Sequence, residues 1–152
     1  MLKEQLRTDL TAAIKAGDQE SVGTIRMALA AITKAEVAGK SARVLSDDEV
    51  TAVLSGEVKR RKEAALAYDD AGRPELATKE LAEADVLTRY LPEPLTPAQV
   101  QDLVTAAVAA ATDSGLVGGR AMGAVMKELK PATSGRFDGA ELAAMVKQSL
   151  GT

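Results

Sequence analysis

Apolar positions recur every three or four residues along nearly the whole chain, as they do on one face of a helix. The first run predicts a helix that ends at Gly17, because glycine commonly stands just past a helix end. Asp18 can then cap a second helix, which ends near Gly39 and is followed by a loop. Because this helical period runs along nearly the whole chain, and the apolar residues are mostly Ala, Val and Leu, we predict an all-α fold.

A long helical hairpin is predicted in the middle of the chain. Ser46 followed by Glu49 is a capping box that opens a third helix, and Gly72 ends that helix. Pro74 suits the first turn of a fourth helix, where its missing N–H costs nothing. Because the connection is so short, we expect the two helices to lie antiparallel.

The prolines of the segment LPEPLTP mark a boundary, since a continuous helix does not accommodate them. We predict an N-terminal domain of four helices over residues 1–92. A proline-rich linker over 93–97 and a C-terminal three-helix tail domain over 98–152 follow.

Three helices are predicted in the tail domain. Thr96 with Gln99 is a capping box that opens the first of them. After glycines that break the chain, a short helix is expected to begin beyond Gly119 and to stop at Pro131. Asp138 opens the last helix with the same capping motif.

The composition restricts the chemistry that the chain can perform. Its 152 residues include no cysteine and no histidine, which excludes disulfides, thiolate metal sites and the commonest general base. A P-loop and a nucleophile elbow are also missing from the sequence. We therefore expect no catalytic residues, no cofactor and no metal. Without a signal peptide or a membrane-spanning run, a cytoplasmic protein without membrane contact is expected.

Two carboxylates on the predicted fourth helix have two interpretations. Glu80 and Glu83 resemble half of a dimetal site, but such sites also use histidine, which this chain lacks. Arg61 falls on the apolar face of the third helix, which the hairpin turns toward the fourth. We expect Arg61 to form a partly buried structural ion pair with Glu80 or Glu83, which fixes the register of the hairpin.

The net charge of −3 excludes nucleic-acid binding by bulk charge, so such binding requires a local cationic patch. Residues 119–137 carry Arg120, Lys127, Lys130 and Arg136 against a single acidic residue. Flexible glycines with backbone N–H groups lie beside these cations, as phosphate contact requires. The alternative is that the lysines complement the dipole at a helix C-terminus.

Two further cations on the hairpin are candidate phosphate contacts. Arg73 lies in the turn at a helix N-terminus, where N–H groups favour anions. Arg60 belongs to the run KRRK, whose alternative interpretation is a solvated helix face with one internal ion pair. The chain has only three aromatic residues, so we expect recognition of RNA shape and backbone rather than stacking on bases.

Two stretches resemble the GatB/YqeY family, in the order that the family shows: VKRRKEAALAYDDAGRPELATKELAEADVLTRYLPEPLT and GRAMGAVMKELKPATSGRFDGAELAAMVKQSL. The length resembles a stand-alone YqeY-like protein, related to the tail of the GatB component of aspartyl/glutamyl-tRNA amidotransferase. The family label is carbon–nitrogen ligase activity with glutamine as amido-N-donor. The residues here do not supply that chemistry by themselves.

The resemblance implies an accessory protein of translation that binds tRNA or a tRNA–enzyme complex. Its partner enzyme would be an aminoacyl-tRNA synthetase or an amidotransferase, and DNA is not an expected partner. In the segment MGAVM, Gly123 is expected to permit a close helix approach. The alternative function is a helical protein–protein adaptor without RNA binding, which an exposed apolar patch on residues 1–40 would indicate.

Overall fold

A computed structural model gives the structure of residues 1–151. In that part of the chain all regular structure is α-helical, in seven helices. The helices are α1 (Leu2–Ala16), α2 (Gln19–Glu36), α3 (Asp47–Asp70), α4 (Pro74–Thr88), α5 (Pro97–Asp113), α6 (Gly118–Thr133) and α7 (Gly139–Leu150). The predicted all-α class is therefore confirmed.

The chain forms two compact units, Met1–Leu91 and Pro92–Thr152. The first contains α1 to α4 and the second contains α5 to α7, an arrangement compatible with the predicted groups of four and three helices. The core of the first unit includes the buried side chains Leu6, Ile25, Ile32, Val50, Leu54 and Leu87. The core of the second includes Val100, Val104, Val125, Leu142 and Val146. Each helix buries one face in its core, and for that reason apolar residues recur at the helical period along the sequence.

Several helix ends occur where local signals predicted them. Ser46 forms a complete capping box at the start of α3, and Thr96 forms one at the start of α5. Asp138 caps α7 with its side chain. Gly17 ends α1 in the left-handed conformation, with φ at 71°.

Helix α2 ends earlier than predicted, at Glu36 rather than near Gly39. The residue that ends it is held by the surrounding structure. Its carboxylate lies 2.6 Å from Nζ of Lys3 on α1, and its carbonyl accepts a hydrogen bond from the N–H of Arg43 at 3.0 Å. The first contact joins α1 to the end of α2, and the second fastens the loop before α3 against it.

Helix α6 differs from its prediction at both ends. It begins at Gly118, with Val117 as the N-cap residue, instead of beyond the glycines. It continues two residues past Pro131, so the predicted stop is wrong. Proline removes its own N–H donor but leaves the carbonyl groups before it available. The next turn uses one of them, because the N–H of Ser134 donates to the carbonyl of Lys130 at 3.0 Å.

Candidate nucleic-acid interface

Three of the predicted site residues lie in one row along α6. Arg120, Lys127 and Lys130 are all exposed, and with Gly123 they follow a 3, 4, 3 spacing that places them on one helix face. Among residues 1–151 the structure gives none of these three cations an ion-pair partner. Glu128 is about 100° around the helix from Lys127 and so lies off this face. The cationic row, as we call these three side chains, is a line of positive charge open to solvent.

Gly123 lies within the cationic row and faces open space. A Cβ atom at this position would meet nothing within 4 Å. The expected close helix approach at Gly123 is therefore wrong. The glycine instead leaves the helix backbone open to solvent between Arg120 and Lys127.

The N-terminal end of α6 adds a second feature that favours anions. Its first turn holds Gly118, Gly119 and Arg120, with no acidic residue and no side-chain cap. The first N–H groups of a helix have no intrahelical acceptor, and the helix dipole places partial positive charge at this end. The cationic row therefore begins where the helix backbone itself attracts negative charge.

Arg136 holds neighbouring parts of the second unit together. Its Nε donates a hydrogen bond to the carbonyl of Glu93 at 2.9 Å. Its own carbonyl accepts one from the N–H of Leu95 at 2.9 Å. These bonds fasten the segment before α5 to the loop between α6 and α7. That Arg136 also contacts phosphate stays a prediction.

The two hairpin cations are each paired with a nearby carboxylate. Arg73 is the N-cap residue of α4, and its Nε lies 2.7 Å from Oε1 of Glu75. Arg60 pairs with Glu57 on α3. Both guanidinium groups are largely exposed, at 58% and 68%, so these pairs are weak and an anion can compete for either arginine. Their role in phosphate contact stays a prediction.

Inside the hairpin, Arg61 faces Glu83. The Arg61 side chain is only 5% exposed, and its Nε lies 3.4 Å from Oε2 of Glu83. This nitrogen has no hydrogen-bond partner among residues 1–151, so the contact is an ion pair without hydrogen-bond geometry. Of the two carboxylates that the sequence suggested, Glu83 rather than Glu80 forms it. Arg61 is also more deeply buried than expected.

Glu57 is a further partner of Arg61 that the sequence prediction did not include. Its Oε2 accepts a hydrogen bond from Nη1 of Arg61 at 2.8 Å, and the same carboxylate pairs with Arg60. Burial raises the pKa of Glu57, but the hydrogen bonds from Arg61 and Arg60 outweigh it and leave the pKa below its usual value. The signal was present, because a glutamate four residues before an arginine lies on the same helix face.

Within residues 1–151 no group of three or more acidic side chains is arranged to hold a metal ion. In the same part of the chain, none of the helices combines the length and the apolar character that crossing a membrane requires.

Comparison with known proteins places these features in a family context. The family model described as Yqey-like protein matches residues 3–150 of this chain. A Schizosaccharomyces pombe protein, described as "Uncharacterized protein C22F3.15", is 32% identical over 93 residues. The matched region covers 60% of this chain and 73% of the yeast protein.

Proposed function

The chain belongs to the Yqey-like protein family, and from this premise we propose that it is a non-catalytic accessory protein that binds tRNA, alone or on an enzyme. The observation that carries the proposal is the cationic row on α6. Its three side chains share one face, are exposed and have no ion-pair partner among residues 1–151. Such a row supports contact with a polyanion although the net charge of the protein is −3.

The dimensions of the row suit a nucleic-acid strand. From Arg120 to Lys130 the helix rises about 15 Å, at 1.5 Å per residue. Successive phosphates of one strand advance only a few ångströms along the helix axis, about 3.4 Å in duplex DNA, so the row can follow several phosphates of an RNA strand. The N-terminal end of α6 extends the same favourable potential at one end of the row.

The chemistry of the row favours recognition of backbone over bases. It contains two lysines and one arginine and no aromatic side chain. Phosphate contacts position a protein on nucleic acid but carry no sequence information directly. We therefore expect similar affinity for different folded tRNAs. Any transfer of an amide group would be performed by a partner amidotransferase, since this chain has neither cysteine nor histidine.

Fluorescence anisotropy of the full chain with labelled bacterial tRNA, at several salt concentrations, tests the proposal. We compare the wild type with a variant that carries Arg120→Gln, Lys127→Gln and Lys130→Gln. If the row contacts phosphates, the variant binds more weakly to every tRNA, and its salt slope falls by up to about one for each lost contact.

A matched control carries Lys15→Gln, Arg26→Gln and Lys62→Gln. This control removes the same number of exposed cations, one arginine and two lysines, from the unit Met1–Leu91. Unchanged binding of the control supports the assignment to α6. An equal loss of tRNA affinity in both variants contradicts the assignment to α6, because the change in net charge alone would then explain the weaker binding. No binding of the wild type at low salt rejects the function.

A protein–protein adaptor is the second candidate function, and a groove between α2 and α3 favours it. The groove has a volume of about 590 Å³, and small residues such as Ala35, Ala52 and Gly56 line it. Met27 and Val37 in the first 40 residues are exposed at 55% and 59%. Small side chains permit a partner helix to approach closely, as in helix-in-groove recognition.

The adaptor is tested with a purified aminoacyl-tRNA synthetase by titration calorimetry in the absence of tRNA. Ala52→Glu places a charge in the groove and should abolish binding if the groove docks the partner. Ala106→Glu, at an exposed position of α5, is the control. Binding that survives Ala52→Glu contradicts docking in the groove.

A further inference from the structure

A polar cleft in the unit Met1–Leu91 takes no part in the proposed tRNA contact. It opens between α1, α2 and the C-terminal end of α4, with a volume of about 320 Å³. This volume lies at the lower end of the range of small-molecule sites, about 300–1,000 Å³. Its polar lining consists of Gln5, Asp9, Ser21, Arg89 and Tyr90.

One wall of the cleft carries an oriented carboxylate. The hydroxyl of Tyr90 donates a hydrogen bond to Oδ2 of Asp9 at 2.6 Å. Burial, together with this bond, raises the pKa of Tyr90, so the hydroxyl keeps its proton and remains a donor. The second oxygen of Asp9 accepts no hydrogen bond from residues 1–151. The carboxylate is therefore fixed in direction and still able to accept.

Arg89 supplies the opposite charge. It is the C-cap residue of α4, and within residues 1–151 its guanidinium forms no ion pair. The positive charge of Arg89 also acts on Asp18. Hydrogen bonds from Ser21 chiefly lower the pKa of Asp18, and the charge of Arg89 lowers it to a smaller extent. Asp9 and Arg89 thus line the same cleft without pairing with each other.

We propose that this cleft binds a small zwitterion of the α-amino acid class, with its ammonium group on Asp9 and its carboxylate on Arg89. A ligand with both charges forms two charge-assisted hydrogen-bonded contacts. A phosphate or simple carboxylate would meet repulsion from Asp9, and a simple amine would meet repulsion from Arg89. The aliphatic side chains of Ile25 and Val86, which also line the cleft, provide contact for the rest of the ligand.

The test is titration calorimetry of the intact chain with free amino acids that represent each side-chain class. For every binder, the Nα-acetyl and the α-carboxamide derivatives are titrated as well, because each removes one of the two charges. The proposal requires saturable binding at millimolar concentration or better, weakened by about tenfold or more in both derivatives. The proposal is overturned if no free amino acid binds saturably. It is also overturned if the derivatives bind as tightly as the parent amino acid.

Two variants locate the site. Asp9→Asn keeps an acceptor for Tyr90 but removes the charge, and Arg89→Gln removes the guanidinium. Arg26→Gln, an exposed arginine of α2 outside the cleft, is the control. Loss of binding in both cleft variants, with the control unchanged, supports the proposal. Binding that persists in either cleft variant overturns it. Because these residues lie outside the cationic row, the outcome is independent of the tRNA experiment.

Discussion

The guanidinium of Arg61 on α3 faces the carboxylate of Glu83 on α4, with Nε and Oε2 3.4 Å apart. Glu57 holds the same guanidinium from its own helix at 2.8 Å. The Arg61 side chain is only 5% exposed. A hairpin register that moved Glu83 away would therefore leave the buried charge of Arg61 with Glu57 as its single ion-pair partner. The arrangement therefore specifies how α3 and α4 align.

Arg61→Ala should lower the free energy of unfolding by about 3–5 kcal/mol, because Glu57 and Glu83 lose a buried partner and the space of a long side chain is left empty. Urea denaturation monitored by circular dichroism measures the change. Arg60→Ala, which removes an exposed partner of Glu57, should change stability by about 1 kcal/mol or less. Equal effects of the two substitutions would show that burial of Arg61 contributes nothing.

Glu49 makes stability depend on acid pH. Hydrogen bonds from Arg43 and from the N–H of Ser46 lower the pKa of Glu49 to about 2, from an ordinary value of 4.5. Since the folded pKa is the lower one, this stabilisation is complete above 4.5 and disappears as the pH falls toward 2.

Glu49→Gln should accordingly lower the Tm near neutral pH, and the difference from wild type should shrink at about pH 3. Thermal unfolding at a series of pH values measures this difference. Glu63→Gln, an exposed position on the same helix, serves as the control. A difference that stays constant across the acid range contradicts the assignment of the shift to Glu49.

Thr96→Ala should destabilise the unit Pro92–Thr152 by about 1 kcal/mol, because it removes the side-chain acceptor for an N–H in the first turn of α5. Thr112→Ala is the comparison. Its hydroxyl only bonds back to the carbonyl of Val108, and alanine is the better helix former. Denaturant unfolding measures the free energy of unfolding of both variants. An equal loss of stability in the two variants would contradict a stabilising role for the capping box.

Gly123→Lys should strengthen tRNA binding by adding a fourth cation to the row. Space permits the change, since a Cβ atom at this position meets nothing within 4 Å. The salt slope of binding should rise by about one. Gly123→Lys both adds a charge and raises the helix propensity at this position. Gly123→Ala raises the helix propensity alone, so it should leave the affinity for tRNA unaltered. If both variants bind alike, the row is not the contact surface.

The sequence predicted the helices more completely than it predicted the candidate site. The sequence alone shows that cations outnumber acidic residues in the segment 119–137. That three of them share one exposed face depends on an unbroken helix from Gly118 through Pro131. Local rules place glycines and proline at helix ends. The packing of α6 against α5 and α7 supports the helix across the glycines at its start and the proline near its end.

The sequence by itself determined the helical class, the position of most helix ends and the lack of thiol and imidazole chemistry. These properties follow from local terms: the 3.6-residue period, the reach of capping side chains such as Ser46 and Thr96, and composition. Only the tertiary structure decided that Glu83 rather than Glu80 meets Arg61, that Gly123 faces solvent, and that Asp9 and Arg89 line one cleft. The physical reason is that these relationships join residues far apart in the chain, or depend on which helix face the packing of neighbouring helices covers.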